Sequence, residues 1–149
     1  MTTVFPEFNE NGDLPVSIYQ ATLEEVVEHF GRGSLQRRLV ARRLTKIYEL
    51  AKSTNWLLRF IVYGSFVTNK PNPNDIDIFM LMEDGFDPDQ ISDETRLIFK
   101  HLTTQKYEGA SIFWATKSGI IGDADDFIAD WQIKRDKTKR GIVEVKSND

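Results

Sequence analysis

Two apolar runs separated by a short polar loop constrain this chain more than any other feature. Leu57-Leu58-Arg59-Phe60-Ile61-Val62-Tyr63 and Ile76-Asp77-Ile78-Phe79-Met80-Leu81-Met82 are too short for buried helices. Both are bounded by turn residues, Gly64 after the first and Pro71 and Pro73 before the second. Such runs read as strands buried on most of their surface. Segments of helical period stand on either side of them. The expected class is therefore α/β or α+β, a small mixed sheet flanked by helices.

The rest of the chain fills in that plan. Residues 1–21 read as an extended arm, marked by the turn Asn11-Gly12-Asp13 and by Pro15. Thr22-Leu23-Glu24-Glu25 is a capping box for a helix that stops at Gly31. Ser34 caps a longer helix ending near Lys52, with Leu35, Leu39, Val40, Leu44, Ile47 and Tyr48 at helical spacing. A helix from Ser92 to about Thr104, a strand over 110–115, a helix over 123–134 and a last strand over 140–145 complete the order. Repeats, low-complexity stretches and interdomain linkers are absent from the sequence, and 149 residues suit one domain.

Composition removes several classes of function. There is no run of about 20 apolar residues for a membrane span, and no N-terminal basic-then-apolar segment of a secretory signal. With no cysteine, a disulfide framework and a cysteine zinc site are excluded, and a cytoplasmic location is expected. The net charge of −4 argues against bulk nucleic-acid binding, DNA above all. That average hides segregation. Six bases and no acid lie between Arg32 and Lys46, six acids and no base between Glu83 and Glu94, and five bases with one acid between Lys134 and Arg140. Arg38, Arg42 and Lys46 share one helical stripe, either a solvated face or a surface for RNA or an acidic partner. His29 and His101 follow no metal spacing, and Trp56, Trp114 and Trp131 are expected in the core.

The chemistry concentrates in Gly64-Ser65 and Asp75-Ile76-Asp77. Carboxylates at i and i+2 on a strand project to one face, with Cα atoms roughly 6.5 Å apart. That spacing suits Mg²⁺ or Mn²⁺, which take carboxylate and phosphate oxygens. A Gly-Ser pair after a buried strand offers amides, close backbone approach and one hydroxyl to phosphate oxygens. Lys70, in the loop between them, is either a third phosphate contact or a solvated lysine.

This pattern resembles the polymerase-beta-like nucleotidyltransferases, in which a hydrophobic strand ends in Gly-Ser and Asp-x-Asp opens the next strand. The resemblance covers residues 57–82 directly and extends loosely to about residue 116. The whole chain is also similar to an uncharacterised bacterial nucleotidyltransferase-like family in Asn11-Gly12-Asp13-Leu14-Pro15, Phe30-Gly31, the Arg37–Arg43 helix and Trp131-Gln132-Ile133-Lys134-Arg135-Asp136. The resemblance to the polymerase-beta-like enzymes implies a minimal nucleotidyltransferase fold with Gly64 and Ser65 on the triphosphate of an NTP and Asp75 and Asp77 on Mg²⁺. It further implies transfer of a nucleoside monophosphate to a hydroxyl on a protein or RNA, often within a toxin–antitoxin or defence pair. Active members place a third carboxylate, a general base, on the strand after the next helix. Here that strand is Ala110-Ser111-Ile112-Phe113-Trp114-Ala115, with Ser111 at the expected place. Glu144 is the first candidate for a replacement base and Glu108 the second. The alternative is a degenerate module that binds a partner protein or RNA without turnover.

Overall fold

Thr22 opens the first helix as its sequence demands. Its hydroxyl accepts from the Glu25 amide at 3.2 Å, and the Glu25 carboxylate accepts from the Thr22 amide at 2.9 Å. In the computed structural model, which describes residues 5–100 and 109–147, this helix, α1, spans Leu23–Phe30. The Ser34 hydroxyl accepts from the Arg37 amide and caps α2, Leu35–Ser53. Two shorter helices follow, α3 over Asp93–Arg96 and α4 over Ala124–Ala129.

The strands are β1 (Ile18–Thr22), β2 (Leu57–Tyr63), β3 (Ile76–Met82), β4 (Ala110–Thr116) and β5 (Ile142–Lys146). They form one mixed sheet in the order β1-β5-β2-β3-β4. β1 runs parallel to β5 and β3 parallel to β4, while β2 is antiparallel to both β3 and β5. The fold is thus the expected α+β arrangement around a five-stranded sheet. No helix among the described residues is long and apolar enough to cross a membrane.

β3 is buried along almost its whole length. Ile76, Ile78, Met80 and Met82 face the main core with Val26 and Phe30 of α1 and Val40, Leu44 and Ile47 of α2. Phe79 and Leu81 face the other side, under Ile128 of α4 and Trp131. Both faces are covered, so its apolar run is almost uninterrupted, and each large side chain contributes roughly 1.5–3 kcal/mol by burial. Asp77 is the exception. It heads the Phe79–Leu81 row and is only half-buried.

Five expectations need correction. The N-terminal segment is not an arm: Leu14 is fully buried, and Ile18–Thr22 is an edge strand paired with β5. That pairing is with residues at the far end of the chain, so no local pattern announces it. The helix expected from Ser92 to Thr104 is one turn, and then Leu97–Phe99 tightens to a 3-10 turn. There the Phe99 carbonyl accepts from the Trp114 indole at 3.0 Å; the remainder, to Thr104, lies outside the described residues. The helix over 123–134 ends at Ala129 in a 3-10 turn. The last strand starts at Ile142 rather than Arg140, because the Arg140 and Gly141 amides donate to Gln132 and Leu14. Trp114 and Trp131 pack into the core as expected, but Trp56 is 40% exposed.

Candidate functional site

β2 ends at Tyr63, and the chain turns sharply at Gly64, with φ +81° and ψ −163°. A residue with a Cβ rarely reaches that conformation. Ser65–Val67 then winds into a 3-10 turn, closed by the Val67 amide on the Gly64 carbonyl at 3.3 Å. Directly across the sheet, Tyr63 pairs with Asp77. The Asp77 carboxyl group packs over Gly64, and a Cβ there would stand 2.9 Å from Asp77 Cγ. Burial and the nearby Asp77 charge hold the Tyr63 phenol above its ordinary range.

Asp75 precedes β3 by one residue, and Ile76 between the two aspartates is fully buried in the main core. Strand alternation then sets Asp75 and Asp77 on the opposite face. Both are half-buried, as is Ser65, whose hydroxyl makes no hydrogen bond among the described residues. Gly64 and Asp77 thus meet directly, with Ser65 next to the first in the chain and Asp75 two residues before the second. Lys70 belongs to the same loop, with an exposed side chain and a carbonyl held by Arg37 at 2.6 Å.

The β3–β4 register sets Ser111 directly beside Asp77. This is where the resemblance calls for a third carboxylate. Among the described residues no cluster of three or more His, Cys, Asp or Glu side chains suits a metal ion. Asp75 and Asp77 are hard oxygen donors, the ligand type that suits Mg²⁺ or Mn²⁺.

Glu144 does not join them. It faces the Asp77 side of the sheet, but pairs with Ile61, so its Cα lies roughly 12 Å from that of Asp77 by strand spacing and rise. It is 1% exposed and chelated by Arg59, through Nε at 2.9 Å and Nη2 at 2.8 Å, with Lys146 at 3.3 Å. Burial pushes its carboxyl up, but the hydrogen bonds and charge of Arg59 outweigh this and hold it below the usual glutamate range. A carboxylate so occupied is an ion-pair partner, and the expectation of a base is corrected. Glu108 lies outside the described residues, as does His101; His29 packs on Phe5 and Phe30.

The basic helix divides by face. Arg38, Arg42 and Lys46 are exposed, and Lys46 pairs with Glu94 at 3.5 Å. Two arginines outside that stripe shape the site. Arg37 is 8% exposed and donates to the carbonyls of Phe30 (3.0 Å), Phe66 (2.8 Å), Thr68 (2.6 Å) and Lys70 (2.6 Å). Its guanidinium also lies over the Phe66 ring at 5.7 Å. Arg43 donates to Gly109, whose carbonyl accepts from the first amide of β3. Ser34 adds a bond to the Pro71 carbonyl at 3.0 Å. One helix therefore holds the whole loop between the Gly-Ser turn and the aspartates. The signal was present in the sequence: Arg37, Val40, Ala41 and Leu44 share the apolar face, and an arginine on such a face needs buried acceptors.

Beyond Asp77 the same sheet face carries aromatic rings. Trp131 lies 4.9 Å from Tyr63, 5.0 Å from Phe79 and 5.7 Å from Phe113. The turn Asn9–Asp13 supports the loop from outside, where the Asn69 amide donates to the Gly12 carbonyl at 2.9 Å. Buried Asp13 binds Lys134 at 2.9 Å and Arg140 at 3.4 Å.

No curated protein and no solved structure matches this chain. One family profile does, over residues 6–146, a span that takes in the Asn9–Asp13 turn, all five strands and the site loop. By that match the chain belongs to a family of unknown function (DUF6932).

Proposed function

We propose that this protein binds an NTP with Mg²⁺ or Mn²⁺ at Asp75 and Asp77 and transfers its nucleoside monophosphate to a hydroxyl on a macromolecular acceptor. The observation that carries the reading is the packing of Asp77 over Gly64 beside the Ser65 turn. It sets a carboxylate against the α-carbon of the glycine that leads into the Ser65 turn, at one sheet end. The resemblance to the polymerase-beta-like nucleotidyltransferases supports it.

Asp75 and Asp77 would hold the metal, which when bound neutralises the triphosphate and the leaving pyrophosphate. Gly64, having no Cβ, leaves room for the Asp77 carboxylate at the turn, and Ser65 would supply a hydroxyl hydrogen bond to a phosphate oxygen. Arg37 and Arg43 act at one remove, by holding the loop that carries these groups. The pairing of Ser111 with Asp77 favours a second reading, in which nucleotide is bound without turnover. In that case the protein is a partner-binding module. A cytoplasmic role within a toxin–antitoxin or defence pair suits either reading.

Calorimetric titration with each NTP and Mn²⁺ tests the site. Binding by the native chain is expected, with loss of about tenfold or more in Asp75→Asn and Asp77→Asn, since each removes a charged ligand. Equal binding by all three proteins overturns the metal site. Transfer of an α-labelled NTP to protein or RNA, abolished in Asp77→Asn, separates turnover from binding.

A further inference from the structure

The six bases between Arg32 and Lys46 are used unequally by the fold. Arg32 pairs with Glu28, and Lys46 with Glu94 at 3.5 Å. Arg37 is buried on four carbonyls, and Arg43 donates to the Gly109 carbonyl at 3.3 Å. Arg38 and Arg42 are left. Both are exposed, and neither guanidinium makes an ion pair or a hydrogen bond among the described residues. One turn apart on α2, they are neighbours on its surface, with Cβ atoms roughly 6 Å apart. Exposed arginines are ordinary; the surroundings set this pair apart.

Arg38 and Arg42 line a groove of about 360 Å³ between α1 and α2, together with Val27, Gly31, Ala41 and Thr45. The two helices meet at close range there, since a Cβ on Gly31 would stand 2.7 Å from the Ala41 Cβ. On the other side of the arginines, away from Ala41 and Thr45, the helical period sets Leu35 and Leu39. These leucines are 63% and 40% exposed. Two unpaired cations thus run between an apolar groove and an apolar ledge. A nucleic acid would use the cations, but no aromatic ring lines the groove for its bases. An anionic membrane is drawn to a broad basic field. Here Glu28 and Glu94 neutralise the flanking bases, in a chain of net charge −4. An acidic amphipathic helix uses every part of the surface. Its apolar residues meet the groove and the leucines, and carboxylates one turn apart take the two guanidiniums.

We propose that the α1–α2 groove, with Arg38, Arg42, Leu35 and Leu39, docks an acidic amphipathic helix of a partner protein. This goes beyond the reading of the Asp75–Asp77 site and needs neither nucleotide nor metal, so its failure leaves that reading standing. The test is fluorescence anisotropy with the full chain in EDTA. Its probe is a labelled helical peptide of about 14 residues with leucines at i, i+3 and i+7 and glutamates beside them. Binding in the micromolar range is expected. Arg38→Gln/Arg42→Gln is expected to weaken it about tenfold or more and to flatten its salt dependence. Leu35→Ser/Leu39→Ser is expected to weaken it about fivefold or more through lost apolar contact. These are exposed positions, so a Tm within about 3 °C of the native chain shows that the variants are folded. A lysine-for-glutamate peptide should bind Arg38→Glu/Arg42→Glu and not the native chain. Absence of binding, equal binding by either first variant, or native binding of the lysine peptide overturns the proposal. So does equal binding of a peptide with serine for every leucine. Tighter arginine-dependent binding of a single-stranded RNA, or of phosphatidylserine vesicles, overturns the protein assignment.

Discussion

The carboxyl group of Asp77 packs against the α-carbon of Gly64, so a metal-binding candidate on one strand and the turn that ends its neighbour occupy a single packing unit. A side chain added at Gly64 must displace the Asp77 carboxylate. Gly64→Ala is therefore expected to do two things. Its φ of +81° with ψ near −163° costs about 3 kcal/mol for an L-residue, and its methyl displaces Asp77. Urea denaturation should show the loss of stability. Titration of whatever remains folded with Mn²⁺ and NTP should show binding lost as well; native binding by a folded Gly64→Ala protein contradicts the packing unit.

Ser111 beside Asp77 offers a gain-of-function test. Ser111→Asp adds a third carboxylate at the register position next to Asp77. Without metal, facing like charges destabilise the sheet by roughly 0.2–1 kcal/mol. With Mn²⁺ the sign reverses, because a ligand that binds only the folded state raises stability by mass action. A Tm below that of the native protein in EDTA and above it in Mn²⁺ is expected, along with faster transfer from α-labelled NTP.

Arg37 predicts a positional effect without any contact to nucleotide. Arg37→Lys keeps the charge but cannot reproduce a fork that reaches four carbonyls. Leaving buried carbonyls unpaired costs about 1–3 kcal/mol each, so a loss of about 3 kcal/mol is expected. Hydrogen exchange should quicken across residues 66–70 before it does in β3. Arg38→Gln, on the exposed side of the same turn, should change stability by less than about 0.5 kcal/mol.

Glu144 and Arg59 predict the acid limb of stability. The folded carboxyl titrates below its ordinary value of 4.5: burial opposes this, and the Arg59 bonds and charge prevail. A carboxylate depressed in this way stabilises above its unfolded pKa, and that contribution is lost as pH falls through the folded one. Glu144→Gln is expected to lose about 2 kcal/mol at neutral pH. This is less than for a fully buried pair, since Arg59 keeps Asp125 and is 19% exposed. The gap between native and variant should close as pH drops below the glutamate range. Transfer kinetics should be unaffected; a specific loss of turnover at native stability would restore Glu144 as a base.

Much of this protein is determined by local chemistry. The capping box at Thr22, the cap at Ser34 and the two strands over 57–63 and 76–82 are set by side-chain oxygens, period and apolar runs, and the structure repeats those bounds. Gly64, Ser65, Asp75 and Asp77 were legible as a group because one loop separates them and strand alternation aligns the aspartates. What only tertiary structure decided are the relations across long separations. β1 became a strand by pairing with β5, Glu144 became an ion-pair partner because Arg59 faces it two strands from Asp77, and Arg37 became the loop's anchor. Spacing along a chain reports which side chains share a face. It does not report which partner is already bound there, and for a buried charge that partner decides whether it holds the fold together or remains available for chemistry.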